Sequence, residues 1–521
     1  MKKVLRSLLV MLMIFAVLCS VVSCKDDKPA FVGSSEAFHE ATKEGGDVEV
    51  VNESVTKYIG VKKDIEITND FTISTEDEFF DAMVGNYKLN KYIPGRMLED
   101  STINGNGHTI TVKGSPNGSL GRYSTGIFGR LINCEVKDLN IVYDFDVNLT
   151  SSSRSVGGLC GVADNCVFKN CTVTYNKGAS FSGYRAGGIA GLFSGVMENC
   201  SVKGDFKLEI QFFGGLAGGL ESGTVKNCNV KVSLDAGNLH DAEIGGLFGW
   251  MQGDVSATTL TLSNFSVWGL TDKWTNYDAY CGVLAGKVYG HLHDCLVDFE
   301  DDVTVCAREY SSGYFHTNMH TGIVTGYAAK DSKINNIFID AKGDDAPNVI
   351  FPDNSKSISL GIAKNETSYE GEIYYAEDAL VHQCVERIQD YTEQTPPDSN
   401  DIEYTFVLHD TPCTLSISRS LKGNGEYRVN FITAMIGDAE IHFDATADMS
   451  ASSPTCSADV GGYTYTVSVV NGENGSFIDF SKTMNGCNTK GVTFISEYSE
   501  VDLTTEQGVW TTDADGKPMF K

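Results

Sequence analysis

Proline is scarce in this chain, with 10 among 521 residues and none between Pro116 and Pro347. A residue without an N–H interrupts a strand ladder, so the long proline-free interval is where an extended sheet can run unbroken. Positive charge is also short: 40 Lys and Arg stand against 69 Asp and Glu, a net charge of −29. That sign repels phosphate backbones and excludes sequence-independent nucleic-acid binding. Past the first 23 residues no run of 18 apolar residues occurs, so no later membrane-spanning helix is expected. A Gly-Lys-Ser/Thr phosphate loop, a His-Glu-x-x-His helix and a Gly-x-Ser-x-Gly elbow are all missing, and no catalytic residue or cofactor is assigned. The 15 cysteines are too sparse for a disulfide scaffold, and their odd number leaves at least one thiol unpaired or modified. What remains is ample for folding, because 41% of residues are hydrophobic and 10% aromatic.

The N-terminus reads as a targeting segment. Lys2, Lys3 and Arg6 precede an apolar run from Leu8 to Val22 that breaks at Ser23 and Cys24. This is the order of a signal peptide, and the run is too short for a spanning helix. Val21-Val22-Ser23-Cys24 resembles the lipobox of bacterial lipoproteins, which implies cleavage before Cys24 and acylation of that residue. Two or more chains would then hold the protein stably on a membrane. Lys25-Asp26-Asp27 is similar to the surface-export signal of Bacteroides-type lipoproteins, which implies display on the outer membrane. Ordinary secretion is the alternative. The polar stretch 24–60 reads as a flexible tether.

Internal repetition dominates the middle of the chain. A Gly-x-x-Gly unit recurs at Gly126 to Gly129, Gly158 to Gly161, Gly188 to Gly191, Gly215 to Gly218 and Gly246 to Gly249, with variants ending at Gly286 and Gly326. The final glycines lie 32, 30, 27, 31, 37 and 40 residues apart. About ten residues after most of them comes Asn-Cys or a relative, as at Asn170-Cys171, Asn199-Cys200, Asn227-Cys228 and Asp294-Cys295. Alternating segments follow each pair, which is strand patterning with one buried face. Repeats of this length with two or three strands describe coils of a parallel β-solenoid. Stacked asparagines can bond one another along the axis, and cysteine can fill the interior beside them. Buried thiols are the favoured state of those cysteines, with disulfides or a metal as alternatives.

Thr75 and Glu78 form a capping box ahead of Phe79, Phe80 and Met83, so a short helix is expected there. It is followed by Asn86 to Leu89 and by Ser101 to Ile110, with its Gly-Asn-Gly-His-Thr-Ile segment, before the first Gly-x-x-Gly unit. This order resembles the GLUG-motif β-helix proteins over residues 64–340. The resemblance implies an all-β, right-handed parallel β-helix with an N-terminal capping helix. Such repeats occur in bacterial surface adhesins and beside the catalytic domains of some immunoglobulin-A proteases, so the scaffold alone does not define an activity.

Leu380, Val381, Cys384, Val385 and Ile388 fall at helical spacing, and a second capping helix is expected over 377–391. Seven alternating segments between residues 402 and 498 then suggest an antiparallel β-sandwich-like domain, with continuation of the solenoid as the alternative. The division is a signal peptide (1–23), a tether (24–60), a β-helix (61–375), a capping helix and linker (376–400) and a C-terminal β domain (401–521).

Aromatic residues mark the candidate site. Trp250, Trp268, Trp274, Tyr277 and Tyr280 lie at the enlarged fifth repeat, and insertions into solenoid coils form loops on one side. Exposed rings there would stack on sugar, which makes a glycan or a surface protein the expected partner beside the membrane at Cys24. His291 and His293, on alternate positions of one strand, offer two imidazoles to zinc. Asp298 to Asp302 and Asp344-Asp345 are acidic runs that could take calcium. The grouped aspartates, Gly-His-Gly and Arg-x-Lys of polygalacturonase-like enzymes are missing. The reading is a non-catalytic adhesion or binding module, with a polysaccharide-processing enzyme or a structural spacer of a surface assembly as alternatives.

Overall fold

The computed structural model describes residues 28–42, 47–51, 54–74, 86–88, 91–93, 96–114, 124–149, 155–239, 241–269, 277–300, 304–308, 317–340, 348–350, 357–365, 372–376, 385–388, 392–393, 401–408, 411–421, 427–443, 455–460, 463–472, 475–484, 487–488, 491–495, 510–512 and 518–520. Among them the structure is nearly all β, with one helix. The signal peptide, Cys24, the helix expected at Thr75 to Met83 and Trp274 lie outside the described residues. The chain divides into two compact units: residues 1–232 with 244–258, and residues 233–243 with 259–521.

In the first unit strands stack in parallel rows, as the repeats predict. One row runs Phe71–Ser74, Thr109–Lys113, Asn140–Tyr143, Thr172–Tyr175 and Ser201–Gly214. A second runs Met97–Glu99, Phe128–Ile132, Cys160–Lys169, Ala190–Glu198, Ala217–Lys226 and Phe248–Met251. This arrangement is that of a parallel solenoid. The alternation of Thr172–Tyr175 buries Val173 and Tyr175 and turns Thr172 and Thr174 outward. In-register stacking then brings Ile141, Val173 and Val202 into one interior column.

The corners explain the asparagines. Asn133, Asp138, Asn165, Asn170, Asn199 and Asn227 all have φ between 50° and 54°, the left-handed region that Asn and Asp enter more readily than other side chains. Their side chains form directional chains: Asn199 Nδ2 donates to Asn170 Oδ1 (3.1 Å), and Asn170 Nδ2 donates to Asp138 Oδ1 (2.7 Å). A second chain runs from Asn165 to Asn133 to Asp100 at 2.9 and 3.1 Å. Each starts on an aspartate, which only has to accept. The following cysteine donates its thiol back across the corner: Cys171, Cys200 and Cys228 bond the carbonyls of Lys169, Glu198 and Lys226 at 3.3 to 3.4 Å. No disulfide joins the described cysteines. Burial holds the Cys166 and Cys228 thiols well above their ordinary range, so they stay protonated and inert.

The double glycines have a steric cause. A Cβ on Gly188 would lie 2.2 Å from the Gly215 carbonyl oxygen, so successive coils meet there backbone to backbone. Tyrosines from inside the coil bond the same corner: Tyr143 and Tyr175 donate to the carbonyls of Gly158 and Gly188 at 2.7 and 3.0 Å. Their rings stack 5.0 Å apart.

The start of the fold differs from expectation. Within the stretch read as a tether, Ala30–Val32 pairs in parallel with Ile65–Ile67 of the β-helix, and a helix, α1, follows at Ser35–Thr42. Ser34 caps it, its Oγ accepting from the Ala37 N–H at 3.2 Å. Phe38 is fully buried against Phe71 and Phe128, each 5.7 Å away between ring centroids. Arg96 closes the arrangement, with its Nε donating to Thr42 Oγ1 at 3.1 Å and its guanidinium 5.1 Å from the Phe38 ring. Burial lowers the Arg96 pKa to about 10, which leaves it charged at neutral pH. Among the described residues, α1 is the helix that packs on these strands, through Phe38.

The second unit continues the same stacking within itself. One row runs Thr259–Gly269, His291–Phe299, Lys333–Asp340, Ile373–Ala376 and Val492–Ile495, all parallel. The last strand is a correction, since Val492–Ile495 was expected among the antiparallel segments. The second capping helix is corrected too: Val385–Ile388 is a strand, antiparallel to Gly475–Met484. Between these returns lie two antiparallel sheets, one of five strands including Asp401–Leu408 and Thr411–Leu421, the other of four including Tyr463–Gly472. Their buried side chains form a single cluster, in which Phe406 of one sheet meets Phe480 of the other at 5.2 Å.

Candidate functional site

The outer face of the second unit carries an aromatic and cationic platform. Its geometry follows from register. Tyr280 on Tyr277–Gly282 pairs with His320 on Thr317–Gly322, so the two side chains leave neighbouring coils at one position. Their rings stack at 4.9 Å with 17° between planes. Lys287, Tyr327 and Lys364 align in the same way on Ala285–Val288, Thr325–Ala328 and Ile362–Asn365. The two columns meet edge to face, Tyr280 to Tyr327 at 5.5 Å, and Tyr289, exposed, lies 6.1 Å beyond Tyr327.

Charges lock the platform. The Lys287 ammonium sits 4.3 Å from the centre of the Tyr280 ring and pairs with Glu243 at 2.6 Å. Burial alone would lower the Lys287 pKa, and Glu243 outweighs it and raises it. Lys364 donates to the Tyr280 hydroxyl at 3.2 Å, and that hydroxyl donates to Asp278 Oδ2 at 3.2 Å. Asp278 Oδ1 accepts from Asn318 Nδ2 at 3.0 Å and lies 3.4 Å from His320 Nε2. Burial pushes Asp278 up, but Asn318, His320 and Lys364 together hold it below the ordinary range. Burial, then Asp278, push Tyr280 up to about 12, so the phenol stays neutral. The arrangement presents flat rings held by fixed donors and acceptors, which is the chemistry that binds sugars or peptide groups.

His320 supplies a pH test. Burial first, then Lys364 and Lys287, lower its pKa below 6.5, against the pull of Asp278. The unfolded chain therefore binds this proton more readily. His320 contributes its full stability above pH 6.5 and loses it as pH falls through the lowered folded value. Thermal melting followed from pH 7.5 to 5 is expected to show a smaller drop for His320→Gln than for the parent. An identical drop in both would contradict the assignment.

Of the sequence candidates, Tyr280 sits at the centre of this platform, and Tyr277 is half-buried at the start of its strand. Trp268 is half-buried on Thr259–Gly269, where its indole N–H donates to Ser266 Oγ at 3.0 Å. Trp250 belongs to the first unit, where its neighbour is Arg185. His320 was visible only as a histidine, and Lys287, Tyr327 and Lys364 were missed. The signal that finds Lys287 and Tyr327 is the residue just after the final glycine of a unit, which is also Arg130 and Trp250 in other coils, and Lys364 follows from register with Tyr327.

The histidines proposed for zinc do share a face, with rings stacked at 4.0 Å. His293 Nδ1 is 2.7 Å from Asp294 Oδ2, and Asn336 Nδ2 donates to the other oxygen at 3.1 Å. That imidazole is thus tied to a corner chain. Asp298 is half-buried and accepts from Thr261 Oγ1 at 3.5 Å. Asp301, Asp302, Asp344 and Asp345 lie outside the described residues.

Comparison with known protein families, with curated proteins and with solved structures finds no match.

Proposed function

We propose that the protein is a cell-surface lipoprotein of the outer membrane, anchored through Cys24, whose right-handed GLUG-type β-solenoid serves as a non-catalytic adhesion module. Its partner is a glycan or a surface protein. In this reading the two antiparallel sheets form a sandwich-like C-terminal domain. The observation that carries the proposal is the Tyr280 platform: three tyrosines and an imidazole in ring contact on an outer face, fixed by Lys287, Lys364 and Asp278. Rings set this way bury large area at low entropic cost when a ligand stacks on them.

The test is binding of the protein beginning at residue 25 to arrayed host and dietary glycans and matrix proteins, with reducing-sugar release followed in parallel. The double variant Tyr280→Ala/Tyr327→Ala is expected to weaken the bound ligand by about tenfold or more, as loss of aromatic anchors does. Unchanged binding would remove the platform from the reading, and release of sugar ends would replace adhesion with catalysis.

A further inference from the structure

The first unit carries a second outward cluster, built around one arginine. Arg185 lies on Ala179–Gly187, in register with Phe212 on Ser201–Gly214. Its guanidinium carbon is 5.2 Å from the Tyr184 ring, 5.8 Å from Phe212 and 6.0 Å from Trp250. Two consecutive glycines make the floor. A Cβ on Gly218 would lie 2.5 Å from Arg185 Cγ, and one on Gly219 would lie 2.6 Å from the Trp250 indole. Only glycine lets the arginine stem and the indole lie flat against the sheet.

The charge of Arg185 is uncompensated among the described residues. Some outward cations of this unit are paired, Arg130 with Asp164, Lys226 with Glu198 and Lys169 with Glu135, whereas Arg185 lies among rings instead. Arg185 is half-buried, in a chain with 69 acidic residues. Its Nε is shut from solvent and has no acceptor. The side edge of the guanidinium is therefore closed, and the terminal nitrogens form the open edge, the one that receives a carboxylate through two parallel hydrogen bonds.

We propose that Arg185, Tyr184, Phe212 and Trp250 form a binding site for a carboxylate-bearing sugar, a uronate or a sialyl unit. The guanidinium takes the carboxylate and the rings take the apolar face of the pyranose. An acidic peptide offers the same charge, but a peptide gains affinity on a sheet by adding to a free strand edge. Ala179–Gly187 offers little such edge, because it pairs with Ser201–Gly214 along one side and with earlier strands at Ala179–Phe181 and Ala186–Gly187 on the other.

The site is tested by calorimetric titration of the protein beginning at residue 25 with trigalacturonate, sialyllactose, a carboxyl-reduced trigalacturonate and a hexaglutamate peptide. One of the two acidic sugars is expected to bind, and the carboxyl-reduced sugar is not. Arg185→Gln is expected to weaken that binding by about tenfold or more, the scale of a charge-assisted bidentate pair. Arg185→Lys, which keeps charge and stem, recovers part of it and guards against loss of fold. Lys207→Ala, at an exposed cation of Ser201–Gly214, leaves it unchanged, which separates the site from general attraction between positive charge and acid. Binding of neither sugar, binding indifferent to Arg185→Gln, or tighter binding of hexaglutamate would each overturn the proposal.

Discussion

Gly223→Ala is expected to destabilise the first unit by about 2 to 5 kcal/mol, combining a left-handed backbone penalty of about 1 to 2 with an overpacking cost of about 1 to 3. Gly223 has φ +104°, and a Cβ there would lie 1.8 Å from the Gly195 carbonyl oxygen. Gly195 repeats the situation one coil earlier, with φ +128° and the Cys166 carbonyl oxygen at 1.9 Å. The neighbour is backbone inside a paired row, so nothing flexible can yield. Gly107→Ala is the control: its φ is +79°, but no atom lies within 4 Å of the added carbon. It should cost only the conformational part, about 1 to 2 kcal/mol. Urea unfolding midpoints of the two variants measure the difference, and equal shifts would mean that coil contact is not what demands glycine at 223.

Phe38→Ala is expected to cost about 3 to 5 kcal/mol, the usual range for a buried phenylalanine, and to open the first coil. The ring is the main apolar contact of α1, and its loss leaves Phe71 and Phe128 facing a cavity. It also removes the surface beneath the Arg96 guanidinium, a buried cation that then keeps only polar partners. Proteolysis within residues 30–42 should accelerate sharply, because uncovering a strand row frees its edge. Phe31→Ala, at a ring that is 68% exposed, should change stability by no more than about 0.5 kcal/mol. Similar losses in both variants would mean that α1 does not act as the cover.

These two residues also mark what the sequence shows and what it hides. The glycines, the Asn-Cys corners and the proline gap are repeated many times, and each reports the same local constraint, so stacked parallel strands are legible by inspection. α1 is not, because a helix of eight residues with Phe38 as its one large apolar side chain has no periodicity to read. Val385–Ile388 misleads for the opposite reason: its apolar spacing fits a helix, but pairing with Gly475–Met484, nearly a hundred residues away, decides the outcome. Long-range partners override local pattern in this way wherever a short segment fits both periods. At the platform, Tyr280 was legible because it adjoins an insertion. Lys287, Tyr327 and Lys364 come together only through register across three coils, which becomes visible once the repeats are aligned on their glycines.

The aspartate-started asparagine chains have a consequence for descent. Within such a chain the inner asparagines, Asn170 and Asn133, both give and receive, so a copied coil inserted between Asn170 and Asn199 would find its donor and acceptor already waiting. An aspartate accepts only, so it works as a first link, as Asp138 and Asp100 do, and as Asp294 does again for Asn336. Duplication inside a run is therefore silent to the hydrogen-bond pattern, and each added coil lengthens the stack by about 4.8 Å. The corner chemistry makes length a heritable variable that lineages can adjust coil by coil without redesigning the interior.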